Sequence, residues 1–374
     1  MVIQRTINRI FREIKAASAR RSANKQFKKM SQGLTLKPLS QSQKKEIKKY
    51  YREKLGVKVS TKWHELAYTI TGNYDKRFIP HDLYVGYIQP ALIDYRFKLA
   101  FDDKNLYPSL LPWIQQPERI VQCSNGVYYS AKHKYWGNQT DIIQECKNID
   151  HAIIKPTLFS NSGHGVAYLS VTNGITNING ETIESVMNRY GNNFVIENIV
   201  SQHKDMLKLN PSSLNTLRVI SFRIGKEVLI CQMICRIGKP GSVCDNFSQG
   251  GIAVAVNHDG TLSKYGYTKY YSHPVERTMT GVTLNGFVIP GFQKIKETVI
   301  KAHLSLPQFP LLAWDIAVDE DSRPILIEYN IHFGSTIALE LGLPLLGDYT
   351  DLILPIVRKE YEKKLDKKLY ICLS

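Results

Sequence analysis

Apolar and polar residues alternate in three textures along the chain, and each predicts its own class of element. Over residues 1–22, Ile3, Ile7, Ile10 and Ile14 recur at helical spacing, with Phe11 beside them and Arg5, Arg9, Arg12 and Lys15 on the flanks. Residues 23–40 are polar, contain Gly33 and Pro38, and read as a linker. QSQKKEIKKYYREKL (41–55) reads as a charged helix. Residues 61–101 read as helix broken by aromatic positions, among them Trp63, Tyr84, Tyr87 and Tyr95. From residue 102 onward, short apolar runs bounded by turn residues take over. Strands are predicted at 127–130, 151–156, 165–171, 194–199, 217–223, 227–236, 251–256, 313–319 and 324–329. Helices are predicted at 140–148, 181–190, 290–305 and 346–366. No internal repeat or low-complexity run interrupts this order, and the fold class it predicts is α/β (α+β).

One hairpin carries chemistry. In WDIAVDEDSRPILIEYN (314–330), a turn at Glu320–Arg323 sets Asp319 opposite Pro324 and Asp315 opposite Glu328. Asp315, Ala317, Leu326, Glu328 and Asn330 then share one face, while Ile316 with Ile327 and Val318 with Ile325 form an ordinary buried face. Two carboxylates directly across a hairpin repel. A hard divalent cation relieves that repulsion, and Mg²⁺ takes such oxygens at about 2.1 Å while leaving positions for phosphate. The competing reading is a pair of solvated acids.

A Mg²⁺ site of this kind calls for a phosphate cradle. In HAIIKPTLFSNSGHGVAYLSVT (151–172), a strand ends at Lys155 and a loop holding Ser160, Ser162, Gly163 and Gly165 follows. Glycine lets backbone N–H groups approach phosphate, and Lys155 adds a point charge. No G-x-x-x-x-G-K-[ST] loop is present, and the lysine precedes the glycines, the reverse of the protein-kinase order. NFVIENIVSQH (193–203) is an apolar strand running into Glu197, Asn198 and Val200, and reads as a buried strand or a hinge against a nucleobase. Arg218 follows Asn215-Thr216 on another strand and suits bidentate phosphate contact. Arg236, Asp245, Asn246 and Gly250-Gly251 occupy a polar, glycine-rich loop region between apolar strands.

Composition narrows the classes. With 374 residues and 43% hydrophobic content, the chain can bury a large core. Six cysteines without metal spacing suit a reducing compartment better than a disulfide framework. No apolar run approaches the roughly 18 residues of a membrane span, and no apolar signal-peptide core opens the chain. The net charge of +16 is uneven: residues 1–60 hold 17 Lys and Arg against three Glu, and the rest is nearly neutral. The 1–22 helix therefore reads as a candidate for an anionic membrane surface, against docking on the chain's own body, a loose tail or a mitochondrial presequence. Nucleic acid is disfavoured, because only Phe11 and Phe27 are interleaved with the basic residues of 1–48.

The order of these pieces resembles the ATP-grasp superfamily, and more finely its sugar-transfer-associated branch, related to α-L-glutamate-ligase-like proteins. The residues that carry the resemblance are WHELAYTITGNYDKRFIPHDLY (63–84), FDDKNLYPSLLP (101–112), NPSSLNTLRVISF (210–222), VCDNFSQGGIAV (243–254) and the 314–330 hairpin, within roughly 60–345. The resemblance implies an ATP-grasp fold of two α+β subdomains clasping ATP. The divisions expected are a basic helical N-terminal extension at 1–60, a helical or mixed subdomain at 61–125, a lid subdomain at 126–200 and a metal- and phosphate-binding subdomain at 201–374. Carried over by position, Lys104 and Lys155 contact ATP phosphates and Ser160 to Gly165 form the lid loop. Glu197 to Val200 line the adenine pocket. Asp315, Glu328 and Asn330 hold Mg²⁺, with Glu328 bridging two ions. Arg218 or Arg236 stabilises the transferring phosphoryl, and Asn246 joins them among the catalytic residues. The usual N-terminal βαβ pattern is missing from residues 1–100, which leaves the acceptor open.

The activity implied is a carboxylate–amine ligation through an acyl phosphate, with small-molecule amine and carboxylate or sugar substrates, in cell-surface polysaccharide or sugar-conjugate synthesis. The expected compartment is the bacterial cytoplasm, with a peripheral place at the inner membrane face as an extension of it. The alternatives are a phosphotransferase on a hydroxyl acceptor and an adaptor built on the basic arm with a decayed ATP site. The sequence leaves the oligomeric state open.

Overall fold

The computed structural model describes residues 2–130, 135, 139–158, 164–241, 250–269 and 273–366. Two six-stranded antiparallel sheets organise it. The first comprises β1 (Arg119–Ser124), β2 (Val127–Ser130), β3 (Ile149–Pro156), β4 (Ala167–Thr172), β5 (Ile175–Thr176) and β6 (Asn193–Asn198), in the order β2-β1-β6-β3-β4-β5. Asn125 and Gly126 both take positive φ, 49° and 81°, which closes β1 on β2 as the tight hairpin their sequence favours. The helices Gln139–Glu145 and Ile183–Tyr190 bring Ile142, Val186 and Met187 to this sheet's core with Val121, Ile154, Leu169 and Phe194.

The second sheet comprises β7 (Thr216–Ile224), β8 (Glu227–Ile237), β9 (Ile252–Val256), β10 (Leu262–Thr268), β11 (Leu311–Val318) and β12 (Pro324–Asn330), in the order β10-β9-β8-β7-β11-β12. Every residue of β11 is buried, because both faces of the sheet are covered. On one face, Leu312, Trp314 and Ile316 meet Ile295 and Val299 of the helix Phe292–Leu304. On the other, Ile220, Phe222, Leu311 and Ala313 meet Ile47 and Tyr51 of the helix Gln41–Leu55 and Ile353 and Leu354 of the helix Thr350–Asp366. Tyr84 and Ile88, from the helical turns between His81 and Leu92, fill the same layer.

Several expectations need correction. The first helix runs from Val2 to Met30, so residues 23–30 are helix rather than linker. Its later half is docked: Ala23 and Met30 pack with Trp63, Leu66 and Phe78, and Phe27 meets the Trp63 ring edge-on at 5.1 Å. The later half of this helix and the helix Gln41–Leu55 therefore belong to the helical layer. The division at 125/126 falls inside the β1–β2 hairpin and severs one sheet. Strands β1, β5 and β10 were not anticipated. RIVQCS and LSKYGYT mix polar positions into their runs, and β5 has two residues.

Candidate active site between the two sheets

The β11–β12 hairpin brings Asp315 directly opposite Glu328, as its sequence predicts, with Asn330 opposite Ala313. Beyond that pair the register slips by one at a bulge: Ile316 pairs with Leu326, Ala317 with Ile325 and Val318 with Pro324. The extra residue is Ile327, so the expected pairings of Ile316 with Ile327 and Val318 with Ile325 do not form. Leu326 leaves the expected acidic face and joins Trp314 and Ile316 in the core. Asp319, expected opposite Pro324, instead closes the turn. Its backbone N–H donates to the Arg323 carbonyl at 3.0 Å, and its carboxylate accepts from Arg323 N at 2.7 Å and Asp321 N at 3.1 Å.

The cross-strand repulsion is met first by arginine. β7 places Arg218 directly beside Asp315, and its guanidinium grips both carboxylate oxygens, with Nη2 2.9 Å from Oδ2. Arg236 of β8 reaches Oδ2 at 3.3 Å and donates to Thr216 Oγ1 at 2.9 Å. Asn330 Nδ2 donates to Asp315 Oδ2 at 3.3 Å. Burial pushes the Asp315 carboxyl up, but Arg218 and Arg236 outweigh it and hold the group below the usual carboxylate range.

Glu328 is the more open acid. Lys104 Nζ lies 3.5 Å from its Oε1. Lys104 sits in a short 3-10 turn, Lys104–Leu106, started by Asp103, whose carboxylate accepts from Asn105 N at 2.9 Å. The turn is tied to the first sheet: Lys104 N donates to Thr157 O at 3.1 Å, and Asn105 Nδ2 to Cys123 O at 2.8 Å. FDDKN thus holds its backbone to one sheet and sends its ammonium to the other.

Lys155 on β3 is ion-paired with Glu197 on the adjacent β6, and both are buried. Glu197, which the family resemblance assigns to the adenine pocket, is therefore committed to a lysine here. Lys104, Lys155, Glu197 and Arg119 line a narrow pocket with Leu326 and Ile327, between the sheets. Past Gln116 and Pro117 it meets a cleft of about 830 Å³ lined by Ile120, His151, Asn198, Val200, Asp319 and Arg323. Gly165 has φ +75°, and a Cβ there would lie 2.8 Å from Pro156 Cγ, so glycine lets the chain re-enter β4 against the end of β3. Ser160, Ser162, Gly163 and Asn246 lie outside the described residues.

Arg119 escaped the sequence reading. Its guanidinium bridges the Lys104 carbonyl at 2.6 Å and Gln122 Oε1 at 2.6 Å and lies buried beside the pocket. Burial pushes its pKa down, opposed by Glu197 and Asp103. The signal is weak: an arginine beside the apolar pair Ile120-Val121 in a strand that also holds Gln122 and Ser124.

What the arrangement can do follows from its charges. Two lysines, from separate elements, line one pocket between the sheets, and Lys104 reaches on from it to Glu328, opposite Asp315.

Comparison with curated proteins finds no match. Among solved structures, the chain is similar to the D-Ala:D-Ser ligase VanG from Enterococcus faecalis, with TM-score 0.40 and 13% identity over 70% of this chain and 61% of that one. It is similar also to a D-alanine–D-alanine ligase from Bacillus anthracis, with TM-score 0.37 and 14% identity over 76% and 69%. A third is an L-amino acid ligase from Bacillus licheniformis, with TM-score 0.35 and 13% identity over 66% and 44%. The chain thus spans under half the length of the last of these. A sequence model covers residues 87–345, a span that takes in both sheets and every pocket residue named above, and by that match the chain belongs to the sugar-transfer associated ATP-grasp family.

Proposed function

We propose that the protein is a Mg²⁺·ATP-dependent ligase that joins an amine to a carboxylate through an acyl phosphate. The observation that carries this reading is the reach of Lys104 from the first sheet to Glu328 on the second, opposite Asp315. It brings fixed positive charge from the pocket up to the acidic hairpin of the second sheet.

In the first step a substrate carboxylate oxygen bonds to the terminal phosphorus of ATP as the bond to ADP breaks. In the second, the amine lone pair bonds to the acyl carbon, phosphate departs with the C–O electron pair, and the amine loses a proton. Neither step needs a protein nucleophile. The chain's contribution is position and charge. Lys104 and Lys155 hold the phosphates, and Asn198 and Val200 line the cleft where the nucleoside lies. Arg218 and Arg236 keep Asp315 ionised and aligned.

Asp315, Glu328 and Asn330 would hold the metal. Two carboxylates and an amide are hard oxygen donors that suit Mg²⁺. Among the described residues no group of three His, Cys, Asp or Glu forms an alternative metal cluster. A Mg²⁺ ion held there would supply charge to offset that of the phosphates. The family description, sugar-transfer associated, supports a sugar conjugate or its precursor as substrate, and cell-surface polysaccharide synthesis in the cytoplasm is the setting we propose for it.

The test is to incubate purified protein with Mg²⁺·ATP and pools of amino acids and uronic acids, measuring ADP and free phosphate together, with Glu328→Gln as control. Equal ADP and phosphate that depend on both an acid and an amine support the ligase. ADP with a phosphorylated acceptor and no free phosphate replaces it with a phosphotransferase.

A further inference from the structure

The helix Val2–Met30 has two faces with different fates. Ala16, Ala23 and Met30 are seven residues apart, share one row, and are all buried. Ala16 lies over Gly86, where a Cβ would stand 3.6 Å from the Ala16 carbonyl. At about 3.6 residues per turn, Ile10 and Ile14 stand roughly half a turn around the helix from that row. They are 55% and 61% exposed. The same spacing of three and four continues this outward row forward to Arg21, Lys25 and Lys28, all three exposed.

The outward row therefore reads isoleucine first and basic afterwards. Glu13 is the sole acidic residue of the helix sequence; it lies off the row and pairs with Arg20 at 2.8 Å. Large apolar side chains turned to solvent beside basic ones ask for a partner that is apolar inside and anionic at its surface. No described helix is long and apolar enough to cross a membrane. A helix lying in the headgroup layer meets the description, with its isoleucines at the acyl boundary and its cations on phosphates.

A second copy of the chain fits less well. Parallel docking of two such rows sets Arg21, Lys25 and Lys28 against their own counterparts, and antiparallel docking sets them against isoleucines. Nucleic acid would want aromatic stacking partners on the row, which has none.

We propose that this outward row is a docking face for an anionic phospholipid surface, and that it holds the protein peripherally with the Ala16–Ala23–Met30 row against its own body.

The experiment is vesicle flotation of the full chain with phosphatidylcholine alone and with phosphatidylcholine plus phosphatidylglycerol. The expected result is flotation with the anionic vesicles only, declining as salt is added. Replacing Arg21, Lys25 and Lys28 together by Gln should lower the partition coefficient roughly 100-fold. Ile10→Ser with Ile14→Ser should lower it roughly tenfold. All five positions are exposed, and an unchanged circular dichroism spectrum verifies that each variant is folded. No flotation, equal flotation with neutral vesicles, or preferential capture by an RNA homopolymer overturns the proposal. A concentration-dependent dimer that the isoleucine pair abolishes overturns it too, in favour of an interface between copies.

Discussion

Asp315 on β11 and Arg218 on β7 stand directly across from one another, and the guanidinium grips both oxygens of the buried carboxylate. This pair stabilises the sheet at the point where the acids gather. Arg236 adds a second contact at 3.3 Å, so the buried acid has two cationic partners and an amide. Removing one partner of a buried, hydrogen-bonded ion pair strands the other. Arg218→Ala is therefore expected to cost about 3–5 kcal/mol, read as a lower urea midpoint with unchanged slope. Arg218→Lys keeps the charge but loses the fork, and should fall between the two. An Arg218→Ala variant as stable as the parent would mean that Arg236 alone suffices.

Acid sensitivity should come from buried imidazoles well before it comes from Asp315. Burial pushes His64, His81 and His303 down from 6.5 to about 4. The unfolded chain takes up these protons first as pH falls. Stability is thus complete above pH 6.5 and declines down to about 4, by up to about 3 kcal/mol for each histidine. Asp315 acts in the same direction, but only as pH falls below its ordinary 3.8. His303 is the cleanest probe: it contacts Ser221 Oγ at 2.7 Å and the Phe309 carbonyl at 2.8 Å, in the core of the second sheet. Urea titrations from about pH 7.5 to about pH 5 should show a shallower slope for His303→Gln, by about one proton.

Lys155 and Glu197 allow structure and function to be separated. Each is the other's ion-pair partner, and both are buried. Lys155→Met should destabilise by about 3–5 kcal/mol, because Glu197 stays buried without its lysine. Adding Glu197→Gln removes that stranded charge and should recover most of the loss. Nucleotide binding should not recover with it, since the double variant lacks the ammonium proposed to meet phosphate. Recovery of both would make Lys155 a structural residue alone.

The sequence exposed the hairpin chemistry because period-two patterning puts Asp315 and Glu328 on one face wherever the turn lies within a residue of its place. It concealed the bulge, since Ile325, Leu326 and Ile327 suit either face equally. The grip of Arg218 and Arg236 on Asp315 was hidden for another reason: it depends on the strand order β8-β7-β11, and β11 lies some hundred residues from β7. The docked row of the first helix was masked by its composition. Ala16 and Ala23 carry little hydrophobic signal, while the isoleucines that do carry it face outward. The helical texture of residues 61–101 was legible, and its role as a cover for Phe222 and Ala313 was not.

Glu328 should divide metal dependence from nucleotide binding. It faces Lys104 at 3.5 Å, keeps more than a quarter of its side chain exposed and adjoins Asn330, so its loss leaves the buried Asp315 cluster intact. Glu328→Gln should therefore fold with near-parental stability. In the parent, ATP in chelator should raise the melting temperature modestly, and Mg²⁺·ATP should raise it further, since a ligand at about a hundred times its Kd adds roughly 2.7 kcal/mol. The variant should keep the first increment and lose most of the second, because an amide is a poorer ligand for a hard cation than a carboxylate. Lys104→Met, which removes the ammonium proposed to hold phosphate and leaves both acids, should instead lose the increment in chelator. A variant at Glu328 that retains the full Mg²⁺ increment would move the ion away from the hairpin.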